Sequence, residues 1–257
     1  MEYNLNTTAL NTWCPGCPNF GILASFKSAV GELVKSGELN PENLAITAGI
    51  GCHGKIAEYL NVNSCEALHG RGIPVAVGMK VANPNLKVVA FAGDGDAYAE
   101  GLDHLLHAAK KNTDITVIVH NNQIFALTTA QYTPTSPKGY KGRSTPYGSI
   151  EEPFNQLALV ISAGGTFVAR SYALEIKKTQ ELILAAMRHK GFSFIEIIQP
   201  CITFYDTRET VKNKVYWLPA DYQPGDESAA LEKTREKEKT PLGILYNVNR
   251  PVFEDEI

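Results

Sequence analysis

The stretch KVVAFAGDGDAYAEGLDHLLHAAKKNTDITVIVHNN, residues 87–122, decides how this chain folds. It opens on the apolar run Lys87-Val88-Val89-Ala90-Phe91-Ala92, which ends at Gly93-Asp94-Gly95. A second apolar run, Ile115-Thr116-Val117-Ile118-Val119-His120, ends at Asn121-Asn122. Between them Leu102, Leu105, Leu106 and Ala109 recur at the spacing of one helix face. The pattern is strand, helix, strand, with polar groups at the carboxyl end of both strands. Ligands of open α/β sheets bind at those ends. Asp94 offers a hard carboxylate oxygen and Asn122 a neutral carbonyl oxygen. Two such ligands suit Mg²⁺, which keeps octahedral geometry and shares its shell with phosphate oxygens. Gly93 and Gly95 leave room for the backbone to approach a diphosphate. Taken singly, an Asp cap and an Asn turn are ordinary. Paired on successive strands, they point to a metal–phosphate site.

Outward from this unit the alternation continues. Ile22, Leu23, Phe26, Ala29, Val30, Leu33 and Val34 form a helical stripe over 20–36, stopped by Gly37. Leu44-Ala45-Ile46-Thr47-Ala48 reads as a strand ending in the turn Gly49-Ile50-Gly51. Residues 54–61 suit one or two helical turns, and 73–82 a helix closed by Asn83-Pro84. Residues 128–149 are rich in Thr, Ser, Pro and Gly, a long loop of the kind that carries function. A helix over 173–190 and a strand over 192–198 add one more pair. After Tyr205 the pattern weakens, and 225–240 reads as a solvated helix or a tail. The expected fold class is α/β, a doubly wound and mostly parallel sheet over residues 1–205, with 206–257 as a C-terminal extension.

The 257 residues, 44% of them hydrophobic, can bury one large core. A net charge of −3 and the lack of a basic run give no reason to expect nucleic acid or a membrane surface. No segment approaches the roughly 20 apolar residues of a membrane helix. Met1-Glu2-Tyr3-Asn4 lacks a positive n-region and an apolar h-region, so a cytoplasmic location is expected.

Five cysteines fit a secreted disulfide framework poorly and metal chemistry in a reducing compartment better. Cys14 and Cys17 form a C-x-x-C knuckle around Pro15-Gly16. Cys52 follows a glycine turn and Cys201 follows Pro200, each at a strand end. In a doubly wound sheet those ends share one rim, so the four thiolates could converge. Four Cys suit structural zinc and a [4Fe–4S] cluster alike, and buried unreactive thiols are the third alternative. Cys65 lies outside these motifs and reads as a small buried hydrophobe. His104 and His107 lie on the amphipathic helix and read as surface or packing residues.

With these residues in view, the chain resembles a known family. The Gly93-Asp94-Gly95 and Asn121-Asn122 pair, with 25 residues between Gly95 and Asn121, looks like the thiamin diphosphate fingerprint. Trp13-Cys14-Pro15-Gly16-Cys17, Gly49-Ile50-Gly51-Cys52, His69-Gly70-Arg71, Ala82-Asn83-Pro84, Thr135-Ser136-Pro137-Lys138-Gly139 and Gln199-Pro200-Cys201 are similar to the β subunit of a 2-oxoacid:ferredoxin oxidoreductase. The likeness runs from about residue 12 to 205. One departure is Pro18-Asn19, where the family usually has glycine.

The resemblance implies a thiamin diphosphate-binding fold and three resident groups: thiamin diphosphate, Mg²⁺ and a [4Fe–4S] cluster. It assigns the cluster to Cys14, Cys17, Cys52 and Cys201, and Mg²⁺ to Asp94, Asn122 and the carbonyl of Ile124. Ile50, Gly51, Cys52, His53 and His69 would line the cofactor. Gly95 and Asp96 would face the diphosphate at the start of a 97–111 helix. Arg71 is either a site residue or paired with a carboxylate. Lys55 is the candidate for a substrate carboxylate, with a merely solvated lysine as its plain alternative. Leu127 is placed at the substrate pocket. That pair suits 2-oxoglutarate or broad-specificity enzymes better than strict pyruvate ones. The implied reaction is coenzyme A-dependent oxidative decarboxylation of a 2-oxoacid, with electrons leaving to ferredoxin. No pyrimidine-binding domain is visible in the chain. A partner α subunit is therefore expected to supply it, with 206–257 packed against that partner. The alternatives are a non-redox thiamin-dependent decarboxylase or carboligase subunit, and a structural zinc protein.

Overall fold

The computed structural model of the chain describes residues 3–257. Its elements run α1 (Asn19–Lys35), β1 (Leu44–Ala48), β2 (Asn63–Glu66), α2 (Gly72–Ala82), β3 (Lys87–Gly93), α3 (Leu102–Lys111), β4 (Ile115–Asn121), β5 (Ile124–Phe125), β6 (Gln131–Tyr132), α4 (Gln156–Ser162), β7 (Phe167–Tyr172), α5 (Ile176–Arg188), β8 (Ser193–Ile198), α6 (Arg208–Lys214), β9 (Val215–Trp217), α7 (Glu227–Thr234) and β10 (Thr240–Asn247). Eight strands form one sheet in the order β2-β1-β3-β4-β8-β7-β10-β9. Every pairing is parallel except β10 with β7. The expected α/β fold with a mostly parallel sheet is the observed one.

Both faces of the sheet are covered, and the strands show why they read as continuous apolar runs. On β3, Val89 and Phe91 point into one core with Ile22, Phe26 and Leu33 of α1 and Ile183 and Met187 of α5. Val88, Ala90 and Ala92 point the other way, onto Ile73 of α2 and Leu105 and Ala109 of α3. The period of two is present, but both phases are apolar. Phe26 meets Phe91 edge to face at 5.0 Å, which fixes α1 across the centre of the sheet. The strands β1, β3, β4 and β8 are adjacent and parallel, so the loops that follow them leave from one rim.

Three expectations need correction. The predicted 97–111 helix is not continuous: a π-helical turn over Asp96–Glu100 precedes α3, and Gly101 separates them. A Cβ at Gly101 would sit 2.8 Å from the Gly70 carbonyl oxygen, so close backbone packing sets the break. Cys65 is half-buried on edge strand β2 rather than in the core. The stretch after residue 205, expected as an extension, places β10 inside the sheet next to β7. Pro241, Gly243 and a register shift between Ile244 and Tyr246 hide that strand from a periodicity reading. The sequence pattern also gives no expectation of α4 or β7.

Asn112 shows how the far end of the sheet is closed. It caps α3 at φ 53°, the left-handed region that Asn tolerates. Its Oδ1 accepts from Phe192 N at 2.8 Å and from Thr166 Oγ1 at 2.7 Å. Its Nδ2 donates to the carbonyls of Arg250 and Pro251. Asn112→Ala strands a buried N–H and keeps a strained φ, and is expected to lower unfolding free energy by about 3 kcal/mol. Urea denaturation followed by circular dichroism measures this; an unchanged midpoint would contradict the role.

Candidate functional site

The carboxylate of Asp94, directly after β3, is 2% exposed. Its Oδ2 accepts from Thr133 Oγ1 at 2.6 Å and Thr135 Oγ1 at 2.7 Å, both from the long loop, and the Asn122 N–H also donates to it. No Lys, Arg or His pairs with it among the described residues. Burial pushes its pKa up to about 6, against the pull of those hydrogen bonds. A buried carboxylate surrounded by neutral donors is a place where a divalent cation would supply the missing charge.

Asn122 leaves β4 beside it. Its Oδ1 accepts from Ile124 N at 3.0 Å, an Asx turn, and its Nδ2 donates to Gln199 Oε1 at 3.3 Å. Gln123 between them takes φ 65°. Asp94, Asn122 and Ile124 border one hollow of about 130 Å³, together with Ile50, Gly51, Cys52, His53, His69, Gly95, Asp96 and Leu127. The structure thus brings together every residue expected around thiamin and Mg²⁺.

The glycines also clear space for neighbouring side chains. A Cβ on Gly51 or Gly93 would lie 2.8 or 2.7 Å from the His53 ring. A Cβ on Gly49 would collide with the Asp96 carboxylate, and one on Gly95 with the Phe125 ring. Their missing side chains make space for His53, Asp96 and Phe125. Asp96 Oδ1 accepts from Gly70 N at 2.6 Å, and its Oδ2 lies 3.4 Å from His53 Nε2. His53 Nε2 has no hydrogen-bond partner although buried. His120, unread in the sequence, also borders the hollow; its Nδ1 is 2.9 Å from Asn19 Oδ1, and burial holds its pKa well below the usual range. His69 stands half-exposed at the mouth, 3.4 Å from Glu100. Arg71 donates to the carbonyls of Glu100 and Gly70 rather than to a carboxylate. His104 and His107 stay on the outer face of α3, as expected.

A second hollow of about 150 Å³ is bordered by Cys14, Cys17, Cys52 and Cys201. Cys17 N donates to Cys14 O at 3.0 Å across a turn in which Gly16 takes φ 78°. The indole N–H of buried Trp13 donates to Cys52 O at 2.6 Å and ties this loop to the turn after β1. Burial pushes the Cys17 thiol up to about 11; the Asn19 N–H opposes this, and Cys52, Cys14 and Cys201 each add to the rise. Among the described residues, no three His, Cys, Asp or Glu side chains are close enough to hold a single metal ion. Four thiols around one hollow are a donor set that serves structural zinc and [4Fe–4S] clusters alike. Lys55 and Leu127 border this second hollow, and Lys55 Nζ donates to Thr12 Oγ1 at 2.9 Å. Cys52, Asn122, Ala126, Leu127 and Gln199 border both hollows, so the two share a wall.

Residues 49–197 match the family described as thiamine pyrophosphate enzyme, C-terminal TPP binding domain. Residues 201–257 match the family that describes the C-terminal part of the pyruvate ferredoxin oxidoreductase beta subunit. The chain is 38% identical over 266 residues to 2-oxoacid:ferredoxin oxidoreductase 1, subunit beta, of Aeropyrum pernix, covering 98% of this chain and 82% of that one. It is 42% identical over 200 residues to 2-oxoglutarate synthase subunit KorB of Archaeoglobus fulgidus, covering 77% and 73%. The solved structure of 2-oxoglutarate:ferredoxin oxidoreductase from Magnetococcus marinus, with 2-oxoglutarate, coenzyme A and succinyl-CoA bound, superposes with a TM-score of 0.94 at 36% identity, covering 98% of this chain and 86% of that one.

The Asp94 shift sets a pH test on the metal-free chain. With the folded pKa raised from 3.8 to about 6, the folded state holds its proton longer than the unfolded state does. This group's contribution to stability is complete below pH 3.8 and is lost as pH rises to about 6, by about 3 kcal/mol. Denaturation midpoints between about pH 4 and 7 are expected to show that loss, and Asp94→Asn to remove it. Equal pH profiles for both proteins would contradict the assignment.

Proposed function

The chain belongs to the 2-oxoacid:ferredoxin oxidoreductase β-subunit family, and on that premise we propose the following division of labour. The chain holds thiamin diphosphate through Mg²⁺ on Asp94, Asn122 and the Ile124 carbonyl. It holds a [4Fe–4S] cluster on Cys14, Cys17, Cys52 and Cys201. The complex carries out coenzyme A-dependent oxidative decarboxylation of a 2-oxoacid and passes electrons to ferredoxin. The observation that carries this reading is the shared wall: an uncompensated buried carboxylate lies one residue layer from four gathered thiols.

When bound, thiamin diphosphate supplies the electron sink for loss of CO₂, and the cluster supplies one-electron exchange with ferredoxin. The chain's own residues do the rest. Thr133 and Thr135 hold the Asp94 carboxylate in one orientation, ready to ligate. Gly95 and Asp96, in the turn where helical winding starts, would meet the diphosphate. Ile50 and Gly51 would line the cofactor in the first hollow, and Cys52, which borders both hollows, would stand between the two groups. His53, seated against Gly51 and Gly93 with its Nε2 free of a partner, and His69 at the mouth would contact the cofactor.

Leu127, 48% exposed, offers methylene contact without a polar donor. Lys55, carried beside the thiols, would meet a substrate carboxylate. Both suit 2-oxoglutarate or broad specificity rather than strict pyruvate use, and relatives named 2-oxoglutarate synthase subunits accord with that. An α subunit would bring the pyrimidine-binding domain. Leu68, Tyr147 and Ile150, each more than three-quarters exposed, give such a partner apolar area to bury, and 206–257 would extend the same interface. Among the described residues no helix is long and apolar enough to cross a membrane, and a cytoplasmic site of action is part of the proposal.

Anaerobic co-purification with the partner, followed by iron and sulfide analysis and a viologen-reduction panel of 2-oxoacids with coenzyme A, tests this. A brown complex active on 2-oxoglutarate, and an inactive lone chain, are expected. A colourless zinc-containing chain, or thiamin binding without iron, would overturn it. Cys201→Ser is expected to lose cluster iron, while Cys65→Ser on the edge strand keeps it; equal iron contents would mean the ligand set is wrong.

A further inference from the structure

Gln199 carries none of the roles above, yet its amide touches Asn122 on one side and Cys17 on the other. It follows β8 and is 2% exposed. Its backbone N–H donates to Asn121 O at 2.8 Å. Its Oε1 accepts from Asn122 Nδ2 at 3.3 Å. Its Nε2 donates to Pro200 O at 3.2 Å and reaches Cys17 Sγ at 3.8 Å. These contacts decide which way round the amide sits. Reversed, its NH₂ would face the NH₂ of Asn122 and its oxygen would face the Pro200 carbonyl. Pro200 also confines Gln199 to extended backbone, so the side chain leaves the strand in a fixed direction.

We infer that Gln199 is a positioning residue that couples the two hollows: its NH₂ donates to the Cys17 sulfur while its oxygen orients Asn122. The inference rests on the metal and thiol roles proposed above. A donor aimed at a cluster sulfur stabilises the more negative, reduced state and raises the reduction potential. The same amide, accepting from Asn122 Nδ2, keeps Asn122 Oδ1 on the side of the first hollow. Being neutral, it adds no charge of its own to either centre.

The test uses the assembled complex, purified anaerobically, and two measurements. One is an EPR-monitored redox titration of the signal that disappears in the Cys201→Ser complex. The other is the affinity for thiamin diphosphate with Mg²⁺ after removal of both by chelation and gel filtration. Gln199→Glu keeps an oxygen for Asn122 and loses the N–H donor. It is expected to lower the midpoint potential while cofactor affinity stays within about twofold of wild type. Gln199→Met loses both contacts without adding charge. It is expected to lower the potential and to weaken cofactor affinity by about tenfold. Midpoint potentials equal to wild type in both variants sink the inference, and so does unchanged affinity in Gln199→Met. Should either variant fail to assemble, Gln199→Asn pulls the amide back by one carbon. A lowered potential there supports the coupling, and an unchanged one overturns it. A wild-type complex with no cluster signal defeats the four-thiol reading itself, and this inference with it; a normal wild-type signal with unmoved variants defeats this inference alone.

Discussion

A carboxylate buried without a cation is the constraint around which this rim is built. Asp94 lies at the end of a central strand, where no lysine or arginine reaches it among the described residues. Two threonine hydroxyls from a distant loop and one backbone N–H satisfy its lone pairs but not its charge. Neutral donors lower the cost of burying an anion and do not remove it. The long loop is thereby tied down, because Thr133 and Thr135 anchor it to the sheet through Asp94. Thr135 also reaches Asn121 Oδ1 at 3.1 Å, and Asn121 Nδ2 donates to Glu196 at 2.8 Å. Glu196 is buried, bonded to Gln156 and paired with Arg170 at 2.7 Å. Thr135 has one proton to give, which the Asp94 carboxylate takes at the shorter distance, so close polar contact rather than a continuous donor chain links the candidate metal ligand to the buried ion pair under the neighbouring strands.

The rim's second feature is the use of empty space. Gly49, Gly51, Gly93 and Gly95 stand where side chains would strike Asp96, His53 or Phe125. Two strand ends, those of β1 and β3, are thereby drawn close around one histidine–aspartate pair. The Asp96 carboxylate accepts from Gly70 N, which joins that pair to the loop before α2. Gly70 in turn packs on Gly101, which interrupts the helix after β3. The π-helical turn is thus the local consequence of tight packing at the site, in keeping with the tendency of such turns to occur at functional places.

The N-terminal loop has little core of its own, and Trp13 holds it in place. The indole is buried, meets Phe20 at 5.3 Å and Tyr59 at 4.9 Å, and bonds the Cys52 carbonyl. Two cysteines carried on a loop are thus brought to two carried at strand ends. The arrangement leaves Cys14 exposed and the other three half-buried, so one side of the thiol hollow faces outward.

Much of this was legible in the amino-acid order. The β3–α3–β4 unit announced itself because strands buried on both faces are apolar without interruption, and because α3 keeps a helical stripe. The cysteine positions and the Asp94–Asn122 pair were legible because few other patterns place such groups after consecutive strands. Cys65, β10, α4 and β7 were not legible: edge position, a bulge beside Pro241 and Gly243, and short amphipathic runs leave weak periodic signals. Nor could the sequence say that its glycines clear space for His53 and Phe125, that Arg71 serves carbonyls, or that Thr133, Thr135, His120 and Gln199 belong to the rim. Local order along a chain fixes periodicity and turn chemistry. Which side chains meet across four parallel strands depends on register and on loop closure over many residues, and only the folded sheet sets these.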